Sequence, residues 1–531
     1  GKMDHRNFQK VGDTLNFLLK KAWGIRVWLF ILSIASGGIM ITLNGCATDS
    51  GSYHDNKTYP SALYGNITKR SFAYEGPARN PVIVIHGLLG ARLEDTAKKE
   101  NIWGNFALSE MMSGGKFGRL AHPMQKGKPL KDIHNSVQAT GLLEKAEILV
   151  MGVQLQLDNY DILVKTLEDC GYVPNTKPLP KNKHFYSQFI FYYDWRRDIS
   201  ENAVELEKFI QKQRTYLQKE YERLYGIKDY DVQFDLIAHS MGGLLARYFV
   251  RYGGTLLPEK EEENLPVTWK GGEYVDKVII IGTPNAGYVD TLLELTEGLR
   301  LVAASPAYPK TVIGSFVSYY QMLPNAEGKH IVWEDSKEPV DYFALETWLK
   351  FKWGLADPKQ DKWLKEIMPE VPTSGERYAV AVDHLDKCLR RARQFKKAMQ
   401  IHAEAYPDNI AVYLIAGDAV LTNHTLGVSP KEGLLKVLDR DAGDGKITAA
   451  SARLDLRDGG DWLFFTNSPI NWSGVYYFQG SHMGIMNSEV FGSNLRFILM
   501  GLPTPHQRCT RDEYMNLIKK ADEYQNGVRG K

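Results

Sequence analysis

Asp235-Leu236-Ile237-Ala238-His239-Ser240-Met241-Gly242-Gly243 is the stretch that decides the fold. A largely apolar segment, Val232 to Ile237, leads into it, and a helix-like pattern, Leu244 to Val250, follows. The order is strand, tight turn, helix. It matches the G-x-S-x-G nucleophile elbow with Ala238 in place of the first glycine. At such an elbow the serine occupies a strained apex, so residues two before and two after it must be small for strand and helix to close up. The helix N-terminus then places the backbone N–H of Met241 beside an attacked carbonyl.

A second stretch pairs with the first. Pro81-Val82-Ile83-Val84-Ile85-His86-Gly87-Leu88-Leu89-Gly90 reads as a continuous apolar strand running into a glycine-bearing loop. A strand this apolar suits the buried centre of a parallel sheet. The loop suits the other half of an oxyanion hole, where backbone N–H groups must approach a substrate oxygen without side-chain obstruction. Further strands are expected at Gln188–Tyr193, Lys277–Ile281, Asn409–Gly417 and Gly474–Phe478, with a long amphipathic helix at Glu201–Leu224. Alternating buried-type strands and helices give an α/β fold with a mostly parallel sheet, and function then sits at the carboxyl ends of the strands.

Composition bounds the alternatives. The 531 residues carry 44% hydrophobic and 24% charged side chains, ordinary values for a globular protein. A net charge of +2 offers no concentrated basic face for nucleic acid. The four cysteines, Cys46, Cys170, Cys388 and Cys509, include no C-x-x-C pair, which argues against zinc and thioredoxin-like chemistry. The acidic run Asp439 to Ile447 reads as a turn. It lacks the glycine register and distal glutamate of an EF-hand, and no phosphate loop can be drawn through it. No metal or cofactor is expected.

Residues 1–45 read as a targeting segment. Lys20, Lys21 and Arg26 precede the apolar run Val27–Leu43, and Leu43-Asn44-Gly45-Cys46 resembles a bacterial lipobox with Cys46 as the lipidated residue. Ala47 resembles the pattern for sorting to the outer membrane, so the expected location is the cell envelope of a Gram-negative bacterium. An uncleaved signal anchor is the alternative. Residues 46–76 are a polar tether, 77–510 the folded body and 511–531 a polar tail. Within the body, 91–185 lacks a clear sheet pattern and 94–185 reads as a lid, although Ala146–Leu155 has strand character. Residues 288–405 read as a helical cap insertion, in which Leu385–Ile401 is a basic amphipathic helix with a solvated face.

Three residues line up for nucleophilic catalysis in the order Ser, Asp, His: Ser240, Asp444 and His482. A serine hydroxyl needs a neutral imidazole to take its proton and a carboxylate to fix that imidazole's tautomer. His482 is favoured as base because it follows a strand, late in the chain, between glycines. His239 abuts the serine but should face away from it. Asp418 and Asp441 are alternatives to Asp444. Asp194-Trp195-Arg196-Arg197-Asp198 reads as a structural ion-pair cluster rather than a substrate contact.

These pieces together resemble the lecithin:cholesterol acyltransferase-like lipases and acyltransferases. Pro81 to Glu94, Ile102-Trp103, Tyr193-Asp194-Trp195-Arg196, Ala238 to Gly242 and Ser318 to Pro324 carry the resemblance, and Asp444-Gly445 matches an Asp-Gly-Thr-Val segment with Lys446-Ile447 in place of Thr-Val. The resemblance implies an α/β-hydrolase fold with a lid over the site, an oxyanion hole from the N–H groups of Leu88 and Met241, and lid or substrate contacts at Trp103 and Trp195. It implies a serine enzyme that takes an acyl group from a lipid ester, such as a phospholipid, at a membrane surface and passes it to water or an alcohol. Animal members close the lid with a disulfide and have proline before the first glycine of the loop. Here Glu94 to Asp169 has no cysteine, and His86 holds the proline's place. The rival expectations are a serine esterase acting on a soluble or cell-envelope ester, and a lipid-anchored binding protein that keeps the fold without activity.

Overall fold

The computed structural model describes residues 69–529, except 105–116, 144–145, 151–152, 158–159, 301–305, 404–405, 456, 458–466 and 503–510. Its strands in chain order are β1 (Val82–Ile85), β2 (Ala91–Asp95), β3 (Glu100–Trp103), β4 (Val137–Leu142), β5 (Ala146–Val150), β6 (Val153–Leu157) and β7 (Gln188–Phe191). They continue as β8 (Phe234–His239), β9 (Val275–Ile281), β10 (Ile331–Trp333), β11 (Ala411–Gly417), β12 (Val420–Val428), β13 (Leu435–Gly443) and β14 (Trp472–Phe478).

Six of them form a parallel sheet in the order β14-β11-β9-β8-β1-β7. Burial on both faces explains why. Val82, Ile83, Val84 and Ile85 are all fully buried, and β8 and β9 are buried along their whole length. Alternate residues serve opposite faces. Ile83, Ile85, Leu236 and Ala238 pack in one core cluster, with the helices Ile199–Tyr225 and Met241–Tyr252. Val82, Val84, Ile237 and Ile279 pack in the other, with the helices Asp161–Asp169 and Glu489–Arg496. This is an α/β-hydrolase fold. After β1 the chain moves to the β7 side, and after β8 it moves to the β9 side. The carboxyl ends of β1 and β8 therefore flank the point where strand order reverses, the place where an open parallel sheet leaves a crevice.

Three regions differ from the sequence reading. Residues 91–142, expected without sheet, contain the antiparallel sheet β3-β2-β4. Its strands are short and bulged, and alternate positions such as Arg92 and Glu94 are only half buried, so no long apolar run marks them. The acidic stretch is a turn only from Asp444 to Ile447: Asp439 to Gly443 belong to β13 (Leu435–Gly443), paired antiparallel with β12. Its aspartates occupy exposed positions of a sheet edge, where charge is tolerated. The cap does not end at 405 either, because β10 pairs with β12 and joins the β12–β13 hairpin to it.

The two longest helices are set by their caps. Asp198 accepts from Ser200 N–H at the start of Ile199–Tyr225, and Gly226, in the left-handed conformation, ends it. Thr373 and Glu376 form a capping box at the start of Ser374–Gln400. This second helix contains the basic stretch from Leu385 up to Gln400, with Ile401 as its C-cap. Its Arg391 and Arg393 pair with Asp198 and Glu261, so they hold the cap on the body.

Residues Ser71–Lys531 form one compact unit. The targeting segment 1–45, Cys46, residues 47–68 of the tether, residues 105–116 of the lid region and Cys509 lie outside the described residues. Cys170 and Cys388 are buried free thiols. Residues Arg511–Arg529, expected as a polar tail, form a helix, and its Tyr524 meets Tyr225 edge-on. Among the described residues no helix is long and apolar enough to cross a membrane.

Candidate active site

Ser240 occupies the apex between β8 and the helix Met241–Tyr252, with φ 55° and ψ −128°. A non-glycine residue there is strained, and its own backbone bonds hold it in place. Ser240 N–H donates to Ile281 O at 2.7 Å, and its carbonyl accepts from Gly243 N–H and from the Thr283 hydroxyl, each at 2.9 Å. The glycine that follows has a steric reason. A Cβ on Gly242 would stand 2.4 Å from His86 O and 2.6 Å from Ile85 O, so only glycine lets the helix start this close to the end of β1.

The register does the next step. Ile85 pairs with Ala238, which brings the loop after β1 alongside Ser240. Gly87 lies against the serine: a Cβ there would be 2.7 Å from Ser240 Cβ and 3.3 Å from its Oγ. Leu88 follows, half buried. Met241 is the first residue of its helix, so its N–H has no intrahelical acceptor and sits at the positive end of the dipole. The two amides expected to cradle an oxyanion thus belong to segments that flank one serine.

His482, after β14, points Nε2 at Ser240 Oγ at 2.9 Å and Nδ1 at Asp444 Oδ2 at 2.7 Å. A carboxylate can only accept, so Nδ1 carries the proton and bare Nε2 accepts from the serine hydroxyl. Asp444 follows the last residue of β13 and is 2% exposed. Its Oδ1 accepts from the N–H groups of Lys446 at 2.9 Å and Ile447 at 2.7 Å. Burial alone would raise its pKa. The His482 partner and the two amides outweigh that, and the carboxyl lies below its usual value. Gly282 and Gly417, at the carboxyl ends of β9 and β11, leave room for the Asp444–His482 pair. Asp418 and Asp441, the alternative acids, are both exposed.

His239 turns away from the serine. Its Nδ1 lies 2.9 Å from the Tyr160 hydroxyl and its Nε2 lies 3.1 Å from His482 O. Tyr160 carries no motif, and its contacts with segments far away in sequence are invisible in a helical spacing pattern.

Trp103 and Trp195 require a correction. They were expected at the lid or substrate, but they are 3% and 0% exposed and meet edge-on at 5.6 Å. Trp103 Nε1–H donates to Leu89 O at 2.8 Å and Trp195 Nε1–H to Ala91 O at 3.0 Å. They brace the backbone of the loop after β1 from the protein interior. The rest of that motif also makes structural bonds. The Tyr193 hydroxyl donates to His86 O at 2.7 Å, and Arg196, fully buried, pairs with Asp194 and reaches Leu120 O and Ala121 O. The Ser318 hydroxyl donates to Trp195 O at 2.6 Å.

Among the described residues no group of three His, Cys, Asp or Glu side chains could hold a metal ion. A separate cavity of about 240 Å³, lined by residues including Lys128, Glu261, Asp383 and Arg391, contains none of Ser240, Asp444 and His482.

Comparison with curated protein sequences gives no match. Solved structures similar to this chain include the Tle4–Tli4 complex, with 12% identity and a TM-score of 0.42 over 83% of this chain and 98% of that one. Bacillus licheniformis lipase BlEst2 in its mature form has 10% identity and a TM-score of 0.29 over 80% and 94% of the two chains. EstA from Clostridium botulinum has 12% identity and a TM-score of 0.30 over 82% and 90%. The lecithin:cholesterol acyltransferase family model matches residues 100–365, half of the chain, and the protein belongs to that family, whose enzymes are of the acyl hydrolase and acyltransferase type.

Proposed function

We propose that the protein is a serine-dependent acyl hydrolase or O-acyltransferase acting on lipid esters, with phospholipid as the acyl donor. The observation that carries this reading is the hydrogen-bonded series Ser240 Oγ, His482, Asp444, mounted on a strained elbow beside a glycine loop. Ser240 Oγ attacks the ester carbonyl while His482 Nε2 takes its proton. The N–H groups of Leu88 and Met241 stabilise the oxyanion. His482 then gives the proton to the leaving alcohol, and the acyl group stays on Ser240 as an ester. Water or a second alcohol, deprotonated by His482, attacks that ester and frees the serine. Asp444 holds the Nδ1–H tautomer throughout.

Exclusion of water decides between hydrolysis and transfer. Product analysis with labelled phospholipid, with and without an alcohol acceptor, tests the whole reading. Labelled free fatty acid or labelled acyl-alcohol is the expected product, and Ser240→Ala should form neither. A fluorophosphonate should label the wild type and fail on Ser240→Ala. A folded wild type that neither labels nor turns over any ester is a binding protein on a hydrolase fold, and turnover restricted to short soluble esters makes it an esterase.

The proposal extends to location. Lipidation of Cys46 after the apolar run Val27–Leu43 would keep the enzyme at the envelope membrane that supplies its substrate. Metabolic labelling with palmitate should mark the wild type and not Cys46→Ser, which keeps the apolar run Val27–Leu43 uncleaved. Equal labelling of both proteins would end this part of the proposal.

A further inference from the structure

The loop that carries the Leu88 amide and the loop that carries His482 lie on opposite sides of Ser240. A buried series of hydrogen bonds joins them behind the serine. Gly87 N–H donates to the Tyr160 hydroxyl oxygen at 2.7 Å. That hydroxyl lies 2.9 Å from His239 Nδ1. His239 Nε2 lies 3.1 Å from the carbonyl oxygen of His482.

The two ends fix every proton in between. A backbone carbonyl only accepts, so His239 Nε2 must carry a hydrogen. In a neutral ring Nδ1 is then bare and accepts. The Tyr160 hydroxyl must donate to it, and the phenol oxygen is left free to accept from Gly87, whose N–H can only donate. No member has an alternative role that satisfies its neighbours equally well. Burial keeps the arrangement single-valued. Tyr160 is 3% exposed and His239 1% exposed. Burial first, and then the neighbouring His482 ring, push the His239 imidazole down to about 3, which favours the neutral ring. Burial also pushes the Tyr160 phenol up, so it keeps its proton. The imidazoles of His239 and His482 are 4.9 Å apart, so the series sets the carbonyl and the seat of the ring that faces Ser240.

We infer that Tyr160 and His239 are positioning residues that lock the oxyanion loop and the His482 loop into one unit. This rests on the roles proposed above for Ser240, His482 and the Leu88 amide. The residue before Leu88 is the one tied, so a shift of Gly87 moves the oxyanion donor directly. The carbonyl tied at the other end belongs to His482 itself. A displacement of either loop by about 1 Å is enough to cost on the order of a hundredfold in rate.

Tyr160→Phe keeps the ring and removes only the hydroxyl. Its kcat on a p-nitrophenyl ester should fall about 10- to 100-fold with KM changed by less than about threefold. His239→Asn should do the same. Because the two act in series, the double variant should be no slower than the slower single variant. Circular dichroism confirms folding of each. A wild-type kcat in folded Tyr160→Phe, or losses that multiply in the double variant, would overturn the inference. A measurement on the wild type covers variants that fail to fold. Nitrogen-15 histidine spectra should show His239 as the neutral Nε2–H tautomer from pH 5 to 9, and an Nδ1–H or titrating ring would equally overturn it. Fluorophosphonate labelling separates the two levels. A wild type that does not label defeats the serine reading. A wild type that labels while Tyr160→Phe turns over at full rate defeats only the tie between the loops.

Discussion

Asp444 divides its carboxylate between two jobs. Oδ2 lies 2.7 Å from His482 Nδ1, and Oδ1 accepts the amides of Lys446 and Ile447. The second job fixes the carboxylate plane, so the first is directional. Asp444→Asn should keep its one side-chain oxygen on the amides of Lys446 and Ile447, which puts an N–H where Oδ2 stood. If that N–H faces Nδ1, the imidazole flips its tautomer and loses the ability to accept from Ser240. The expected cost is about ten-thousand-fold in kcat, read on a p-nitrophenyl ester with the variant shown to be folded. A drop of less than about tenfold would hand the acid's role to another carboxylate.

Gly87 and Ser240 are packed with no tolerance. A methyl group on Gly87 would stand 2.7 Å from Ser240 Cβ, which cannot move because Ser240 N–H and C=O are both tied down. Gly87→Ala should therefore displace the loop rather than the serine. The predicted result is a loss of oxyanion stabilisation, about 100- to 1000-fold in kcat, with a modest loss of stability of about 1–3 kcal/mol from overpacking. Thermal unfolding and ester kinetics on the same preparation separate the two effects. Unchanged kcat would show that the loop amide takes no part.

What could be read from the sequence was whatever is local or buried on both faces. The elbow announces itself within five residues, because small side chains flanking a serine are a steric demand that no distant residue can supply. Val82–Ile85 and the Val278–Ile281 end of β9 read as strand because a parallel sheet covered by helices needs apolar runs, while Asp276 and Lys277 hide where β9 begins. The sheet β3-β2-β4 was hidden because its strands alternate polar and apolar over only 4–6 residues, with bulges. Asp439 and Asp441 suggested a turn because charge on an exposed strand edge looks the same in sequence as charge in a loop. Tyr160 was unreadable for a different reason. Its chemistry comes from Gly87 and His239, 73 and 79 residues away. The tryptophans misled because an aromatic that braces a loop and one that touches a ligand differ only in which side of the loop they occupy.

Asp194 and Arg196 test that distinction. Arg196 is fully buried, and its guanidinium is held by both Asp194 oxygens, at 2.9 and 2.8 Å, and by two backbone carbonyls. Asp194→Ala leaves a buried cation without its counterion, which costs about 3–5 kcal/mol. A scaffold role predicts a large drop in unfolding free energy, while the folded fraction keeps the wild-type KM. A substrate-binding role predicts the reverse. Urea unfolding and KM for the same ester decide between them. Wild-type stability with a raised KM would return this motif to the substrate.

Lys396 provides a stability test far from the chemistry, with a definite sign in pH. It lies on the buried face of the helix Ser374–Gln400 and is 7% exposed. Burial is the main reason its ammonium is pushed down to about 7, the Arg247 guanidinium adds to it, and Glu327 offsets part. In the unfolded chain the same lysine titrates near 10.5. The unfolded state therefore binds more protons than the folded state between about pH 7 and 10.5, and stability rises with pH across that window. Below about pH 7 both states are protonated and the full penalty of a buried cation remains. Lys396→Met fills the same space without charge. It should be more stable than the wild type by about 1–3 kcal/mol at pH 6, and the gain should fade as pH approaches 10.5. Urea unfolding of both proteins at pH 6, 8 and 10 reads the trend. A gain that does not depend on pH would assign the effect to packing alone, and a loss at pH 6 would show that the ammonium makes a favourable ion pair in place.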